Sequence, residues 1–213
     1  DDIGFLISKN KYNENSVIAE FYTHNHGKCT GIIYGGTSKK VKNYLQLGNK
    51  INLNYKSKNE NKSGYFNIEI LEPVSPIFFD NQKKMTILLS AINILKLLTP
   101  ELQKNINIYK LFENLVINIK VNDNSVILDY IYWELDILKE IGFDLNLNKN
   151  SIISNKKLSS IVIDNQTYNL PTFIFNRDYK FADTQHIYRA LDFIGNFIDQ
   201  KVIKPNNLIF PRF

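Results

Sequence analysis

The chain has 213 residues, 44% of them hydrophobic and 13% aromatic, enough for one large or two small packed domains and too much apolar content for wholesale disorder. Lysine and arginine number 26 against 21 acidic residues, a net charge of +5 that favours polyanionic partners without naming one. Because its 30 Ile, 29 Asn and 23 Lys all use A/T-rich codons, the abundance of Asn and Lys reflects genome bias, and only their placement carries information.

A single cysteine, Cys29, excludes an intramolecular disulfide and a cysteine-rich zinc knuckle, and points to a reducing compartment. The opening Asp1-Asp2-Ile3-Gly4 lacks a basic stretch followed by an apolar one, so no export signal is read there. The most apolar run, Met85 to Leu98, is interrupted by Ser90, Asn93 and Lys96 and falls short of the roughly 20 residues that span a bilayer. The expectation is a cytoplasmic protein with no membrane partner.

Up to about Val74 the pattern is strand-like. Ile3 to Ser8, Val17 to Thr23, Lys28 to Tyr34, Lys50 to Tyr55 and Tyr65 to Leu71 are rich in β-branched and aromatic residues. Ile51, Leu53 and Tyr55 alternate with Asn52 and Asn54, and Phe66, Ile68 and Ile70 with Asn67 and Glu69, so each of these strands buries one face. Gly27, Gly35-Gly36, Gly48 and Gly64 supply turns between or beside the strands. Five short strands in about 75 residues suit a small Greek-key barrel of the oligonucleotide-binding (OB) type.

After Glu72-Pro73-Val74-Ser75-Pro76 the hydrophobic period lengthens from two to about 3.6. The expected fold is therefore α+β in two domains: a five-stranded OB-type barrel over 1–74 and a mainly α-helical domain over 75–213. Leu88, Leu89, Ile92, Leu95 and Leu98 form one helical stripe, and Thr99-Pro100-Glu101 is expected to restart a helix with Thr as its cap. A third helix, Ser125 to Ile141, turns Leu128, Ile131, Tyr132, Leu135 and Leu138 inward and stops at Gly142. The 150–170 insert reads as a loop with a hairpin, Ser160 to Ile163 pairing with Thr167 to Leu170 across Asp164-Asn165. A last helix, about Asp183 to Lys204, carries Ile187, Leu191, Ile194 and Ile198 on one face and ends at Pro205.

No catalytic constellation emerges, so no enzyme and no cofactor is expected. His24, His26 and Cys29 lie close but at a strand turn without a fourth ligand, which reads as surface turn residues and a small buried thiol. Gly35-Gly36-Thr37-Ser38-Lys39-Lys40 has the ingredients of a phosphate loop but not its spacing, and its context predicts a strand-to-strand loop with no following helix. Glu134, Asp136 and Glu140 share one helix with Lys139 and read as a solvated face. Asp164, Asp178 and Asp183 are too scattered to hold a nuclease's metal ions.

Charge placement is more informative. Between Gly27 and Lys62 stand Lys28, Lys39, Lys40, Lys42, Lys50, Lys56, Lys58 and Lys62 against Glu60 alone, with Tyr34, Tyr44, Tyr55 and Tyr65 interleaved. Ammonium groups beside aromatic faces hold single strands without reading sequence. The competing class is a protein-interaction module on an OB barrel that touches no DNA, its lysines serving solubility.

Gly4-Phe5-Leu6-Ile7, Asn13-Glu14-Asn15-Ser16, Phe21-Tyr22-Thr23-His24-Asn25-His26-Gly27-Lys28, Gly35-Gly36-Thr37-Ser38-Lys39-Lys40 and Leu45-Gln46-Leu47-Gly48 resemble, in order and spacing, the bacterial DNA repair protein family RecO. The similarity continues through Leu111-Phe112-Glu113, the run Trp133 to Phe143, and Leu145-Asn146-Leu147. The resemblance implies a nucleoid-associated recombination mediator that binds single- and double-stranded DNA and anneals strands without ATP. It further implies that such a protein helps RecR load RecA onto strands coated by single-stranded DNA-binding protein, with RecF as a further partner.

The resemblance maps the family's basic DNA-binding loop to Lys39, Lys40 and Lys42, with Lys28 nearby, and the placement of charge and aromatic residues adds Lys56, Lys58, Tyr34 and Tyr44 as DNA-binding residues. Two departures stand out. The four-cysteine zinc site of many members, which would begin near Asn150, has no cysteines here, so no metal is expected. The arginine with which relatives bind the acidic tail of single-stranded DNA-binding protein is replaced by Ile131-Tyr132 ahead of Trp133-Glu134, leaving Lys110 or Lys139 to supply the charge.

Overall fold

A computed structural model describes residues 1–56, 64–145, 151–153, 158–179 and 182–208. The chain divides by packing into two compact units, Asp1–Val121 and Asn122–Phe213.

In the first unit the alternating segments form β1 (Asp2–Lys11), β2 (Ser16–Thr23), β3 (Gly27–Tyr34), β4 (Lys50–Lys56) and β5 (Tyr65–Glu72). They close into a barrel of order β1-β2-β3-β5-β4. The seam is a parallel pairing of Ile32 with Tyr65, and the other ladders are antiparallel. This is the five-stranded OB-type barrel expected from the strand count. Leu6, Ala19, Phe21, Ile33, Ile51, Leu53 and Phe66 fill it, with the Phe21 and Phe66 rings edge to face at 5.3 Å. At Gly31 a Cβ would stand 2.5 Å from the Phe66 ring, so only glycine lets β3 pass this close to the core.

The connection from β3 to β4 differs from expectation. The Gly35–Ser38 turn is followed by α1 (Lys39–Tyr44), one and a half turns of helix. Val41 and Leu45 pack on the barrel core, and this tertiary contact fixes a segment too short to show a helical period. Its end is held by Asn49, which is fully buried: Asn49 Nδ2 donates to the Tyr44 carbonyl, and its Oδ1 accepts from the Val74 and Ser75 amides.

A 3-10 turn (Ser75–Phe78) leads into α2 (Gln82–Leu98), capped by Asn81, whose side chain accepts from the Lys84 amide. The helix expected to begin at Thr99-Pro100 begins later, as α3 (Ile106–Val121), with Asn105 Oδ1 accepting from the Asn107 and Ile108 amides. Thr99 closes α2 instead, its Oγ1 donating to the Leu95 carbonyl at 2.6 Å. The intervening residues run beside β3, where the Leu102 amide donates to the Lys28 carbonyl, and that edge pairing replaces the helical turn Pro100 would permit. Phe5, Tyr109 and Phe112 join α3 to the barrel within this unit, so the unit extends past the change of period at Pro73 as far as Val121.

The second unit is built on α4 (Val126–Glu140), which is buried almost all round: Ile131, Ile137 and Leu138 are inaccessible, and Tyr132, Trp133 and Leu135 nearly so. Its sheet has order β6-β7-β8, from β6 (Ser151–Ile153), β7 (Leu158–Ile163) and β8 (Gln166–Pro171). The expected hairpin is present, Ser160 facing Asn169 and Val162 facing Thr167, with Asp164 and Asn165 both at positive φ in its two-residue turn. A short α5 (Phe173–Asn176) precedes α6 (Thr184–Ile198), which Asp183 caps and a π-helical turn (Asp199–Ile203) continues. Among the described residues no helix is long and apolar enough to cross a membrane.

Candidate nucleic-acid interface

The first unit holds 16 lysines and no arginine against 10 acidic residues, and the second 10 basic against 11 acidic, so the net charges are +6 and −1. Helix α1 concentrates that surplus. Lys39, Lys40 and Lys42 are exposed, and none has an ion-pair partner among the described residues. The sequence reading omitted Lys9. Its amine donates to the Leu45 carbonyl, and it lies near enough to Lys42 that burial, and then the Lys42 charge, hold its pKa below the ordinary lysine value. No local signal points to Lys9, because β1 and α1 meet only through the fold.

Aromatic groups lie on an outer face of the barrel. Strand alternation sends Ile33 into the core and Tyr34 outward, where it is 64% exposed. Its ring centroid is 5.6 Å from that of Tyr65, and Tyr65 stands directly opposite the exposed Lys56 in the β4–β5 ladder. Tyr34, Tyr65 and Lys56 thus share one patch, with Asn54 and Asn67 the next pair along the same face. Tyr44 ends α1 and is half-buried, its carbonyl engaged by Asn49. Tyr55 belongs elsewhere, leaning on the core ring of Phe66 at 5.4 Å.

The fold does not bring all the chosen lysines together. Lys28 Nζ donates to the Lys96 carbonyl of α2 at 3.1 Å, while Lys96 itself reaches Ser8 and Glu20. Lys50 pairs with Glu113. Lys58 and Lys62 lie outside the described residues.

At the turn before β3, Asp2 accepts from the Ile3 amide, from Asn25 and from His26 Nδ1 at 2.7 Å. Burial opposes charging of Asp2, but the hydrogen bonds from His26, Thr23, Ile3 and Asn25 prevail and hold its carboxyl below the usual range. His24 instead packs edge to face on Tyr109, and burial pushes the Cys29 thiol up. Among the described residues no three His, Cys, Asp or Glu side chains converge as metal ligands.

In the second unit, Glu134 corrects the reading of a solvated acidic face. It is 6% exposed, and burial raises its pKa to about 7 against the opposing effect of a hydrogen bond with Tyr130. The helix packs on nearly every side, so a charge pattern that would mark an exposed face on a surface helix places Glu134 inside. Asp136, by contrast, is held bidentately by Arg177. The Arg177 guanidinium also lies over the Tyr132 ring, 5.2 Å from its centroid, and the Tyr132 hydroxyl donates to the Phe173 carbonyl. Ile131 and Tyr132 are therefore core residues, and the guanidinium beside them comes from 45 positions later in the chain. Lys139 is exposed, 4.0 Å from Asp144. Lys110 is exposed on α3, in the first unit.

A sequence profile described as "Recombination protein O N terminal" matches residues 1–74, which is the barrel, and one described as "Recombination protein O C terminal" matches residues 81–207. The chain belongs to the RecO family. A RecO described as a DNA repair protein in Ehrlichia chaffeensis is 26% identical over 232 aligned positions covering 100% of this chain and 93% of that protein. The RecO proteins of Wolbachia pipientis subsp. Culex pipiens and Rickettsia typhi are 28% and 32% identical over 73% and 70% of this chain. Those two matches span 64% and 61% of the relatives' own lengths. Membership places the chain in DNA repair and recombination.

Proposed function

We propose that this chain is a recombination mediator whose barrel binds single- and double-stranded DNA through phosphate contacts and anneals complementary strands without a nucleotide cofactor. The observation that carries the reading is the set of exposed ammonium groups on α1, Lys39, Lys40 and Lys42, unpaired among the described residues, in the same unit as the Tyr34–Tyr65–Lys56 patch. Cations without internal partners release counterions from a phosphate backbone when they bind it, and exposed rings offer stacking to any base. Within the family's role, such a protein works with RecR to load RecA on strands covered by single-stranded DNA-binding protein, RecF being a further partner, in the cytoplasm at the nucleoid.

The test is binding of mixed-sequence oligonucleotides over a salt series, with annealing followed in the absence of ATP. If about five lysines contact phosphates, log affinity for single strands falls with log salt at a slope of roughly −3.5. A slope near zero with no annealing rejects the reading in favour of a protein-interaction module. A magnesium-dependent cleavage assay separates it from a nuclease.

For the acidic tail of single-stranded DNA-binding protein, we propose weak binding that relies on Lys110 or Lys139, because Tyr132 is buried and Arg177 is already held by Asp136. Calorimetry with the tail peptide tests this. Charge reversal at the lysine used abolishes binding and leaves naked-DNA affinity unchanged, whereas tight binding that survives both reversals refutes it.

A further inference from the structure

The second unit contains a cleft of about 570 Å³ between the β7–β8 hairpin and the helix formed by α6 and its π-helical continuation. Its size falls in the range of ligand pockets. We propose that this cleft accepts an unpaired nucleotide of single-stranded DNA, the base entering between hairpin and helix with its phosphate toward Arg189. This rests on the DNA-binding reading above and adds a contact away from the barrel.

The walls have the chemistry of base recognition. Tyr168 on β8 meets Phe193 on α6 edge to face at 5.2 Å, and Phe197, one turn on, lies 6.2 Å from Phe193. With Leu170 they make an apolar, aromatic wall suited to a flat ring. Asn196 and Gln200, which carry side-chain amides, also line the cleft. Amides pair donor and acceptor in one plane, which matches the edges of nucleobases and not an aliphatic ligand.

The charge balance selects an anion. Of the charged groups lining the cleft, Lys201 and Asp164 are paired with each other, closing the hairpin turn onto the helix. Arg189 is exposed, and no partner engages its guanidinium among the described residues. An open cleft with a stacking wall, amide edges and one free guanidinium fits a base with an attached phosphate. A metal ion would need several carboxylates, and Asp164 is the only one in the lining.

The test is photocrosslinking of the full chain to an oligothymidylate carrying 5-iododeoxyuridine, with adducts located by peptide mass spectrometry. The expected result is an adduct at Tyr168, Phe193 or Phe197 in addition to barrel adducts. Arg189→Glu should reduce the cleft adduct about tenfold, the loss of one charge-assisted contact, and leave barrel adducts unchanged. Far-ultraviolet circular dichroism of the same variant establishes that it is folded. Adducts confined to the barrel overturn this site and leave DNA binding standing. Absence of binding and of adducts everywhere overturns both. Elimination of the cleft adduct by free thymidine monophosphate or ATP, at nucleotide concentrations equal to the oligomer's, overturns the strand assignment in favour of a free-nucleotide pocket.

Discussion

Helix α1 of the first unit and the core of the second treat charge in opposite ways. On α1 of the first unit Lys39, Lys40 and Lys42 face solvent without partners among the described residues, whereas in the second unit Arg177, Lys201 and Lys204 are held by Asp136, Asp164 and Asp199, and Glu134 is buried outright. A cation committed to an internal carboxylate has little field left for a phosphate, and an unpartnered one keeps its full attraction. Among the described residues the difference therefore separates a helix that offers charge to a polyanion from a unit whose Arg177, Lys201 and Lys204 are committed to internal carboxylates. Arg189 has no such partner among the described residues, and it lines the open cleft.

The sharpest way to probe that contrast is the inward charge. Glu134 has a native pKa of about 7 against an ordinary value of 4.5. Below pH 4.5 both folded and unfolded chains hold the proton. Between 4.5 and 7 the unfolded chain releases it while the folded chain retains it, so stability falls with rising pH and levels off above 7. The fall is up to about 1.4 kcal/mol per pH unit, about 3 kcal/mol over the window. Denaturant unfolding between pH 4.5 and 8 should show this slope, and Glu134→Gln should flatten it. A wild-type profile already flat there would place Glu134 in water.

Outward charge comes next in size. Converting Lys39, Lys40 and Lys42 together to Glu removes three of about five phosphate contacts, each contributing about 0.7 log unit per decade of salt below 1 M. Single-strand affinity at 0.1 M salt should fall roughly a hundredfold, the salt slope should flatten toward about −1.4, and every sequence should suffer alike. Unchanged affinity would move the interface off α1.

Arg177→Ala should act on the second unit alone. The pair with Asp136 is half-exposed, so its loss together with the stacking on Tyr132 should cost about 1 kcal/mol in thermal unfolding, with oligonucleotide affinity unaffected. A drop in affinity as large as that of the α1 variant would erase the contrast. The smallest expected effect is none: a metal chelator should leave the melting temperature where it was, and elemental analysis should find no stoichiometric zinc, since Cys29 is the only cysteine.

Local patterns disclosed much of this. The five strands follow from runs rich in β-branched and aromatic residues, sharpened in β4 and β5 by alternation such as Ile51-Asn52-Leu53-Asn54, and the hairpin follows from Asp164-Asn165 between two β-rich runs. The misreadings share a cause. Thr99-Pro100 has the composition of a helix start, yet Thr99 bonds back to Leu95 and the next residues pair beside Lys28, a partner more than 70 positions away. Helix α1 is six residues long, below the length at which a helical period is visible, and exists because Val41 and Leu45 reach the barrel core.

The sequence by itself determined the barrel's strands, the change to helical period after Pro73, the lysine concentration over 27–62 and the family signature, because each depends on spacing within a few residues or on composition along a stretch. Only the tertiary structure decided which lysines stay free. Lys28 and Lys50 look like Lys39 and Lys40 in one dimension, but a carbonyl of Lys96 and the carboxylate of Glu113 hold them, and both partners arrive from helices at least 60 residues downstream. It also decided that Glu134 is buried while Asp136 is paired, since solvent access on a helix is set by what packs against it and not by the charges beside it in the chain.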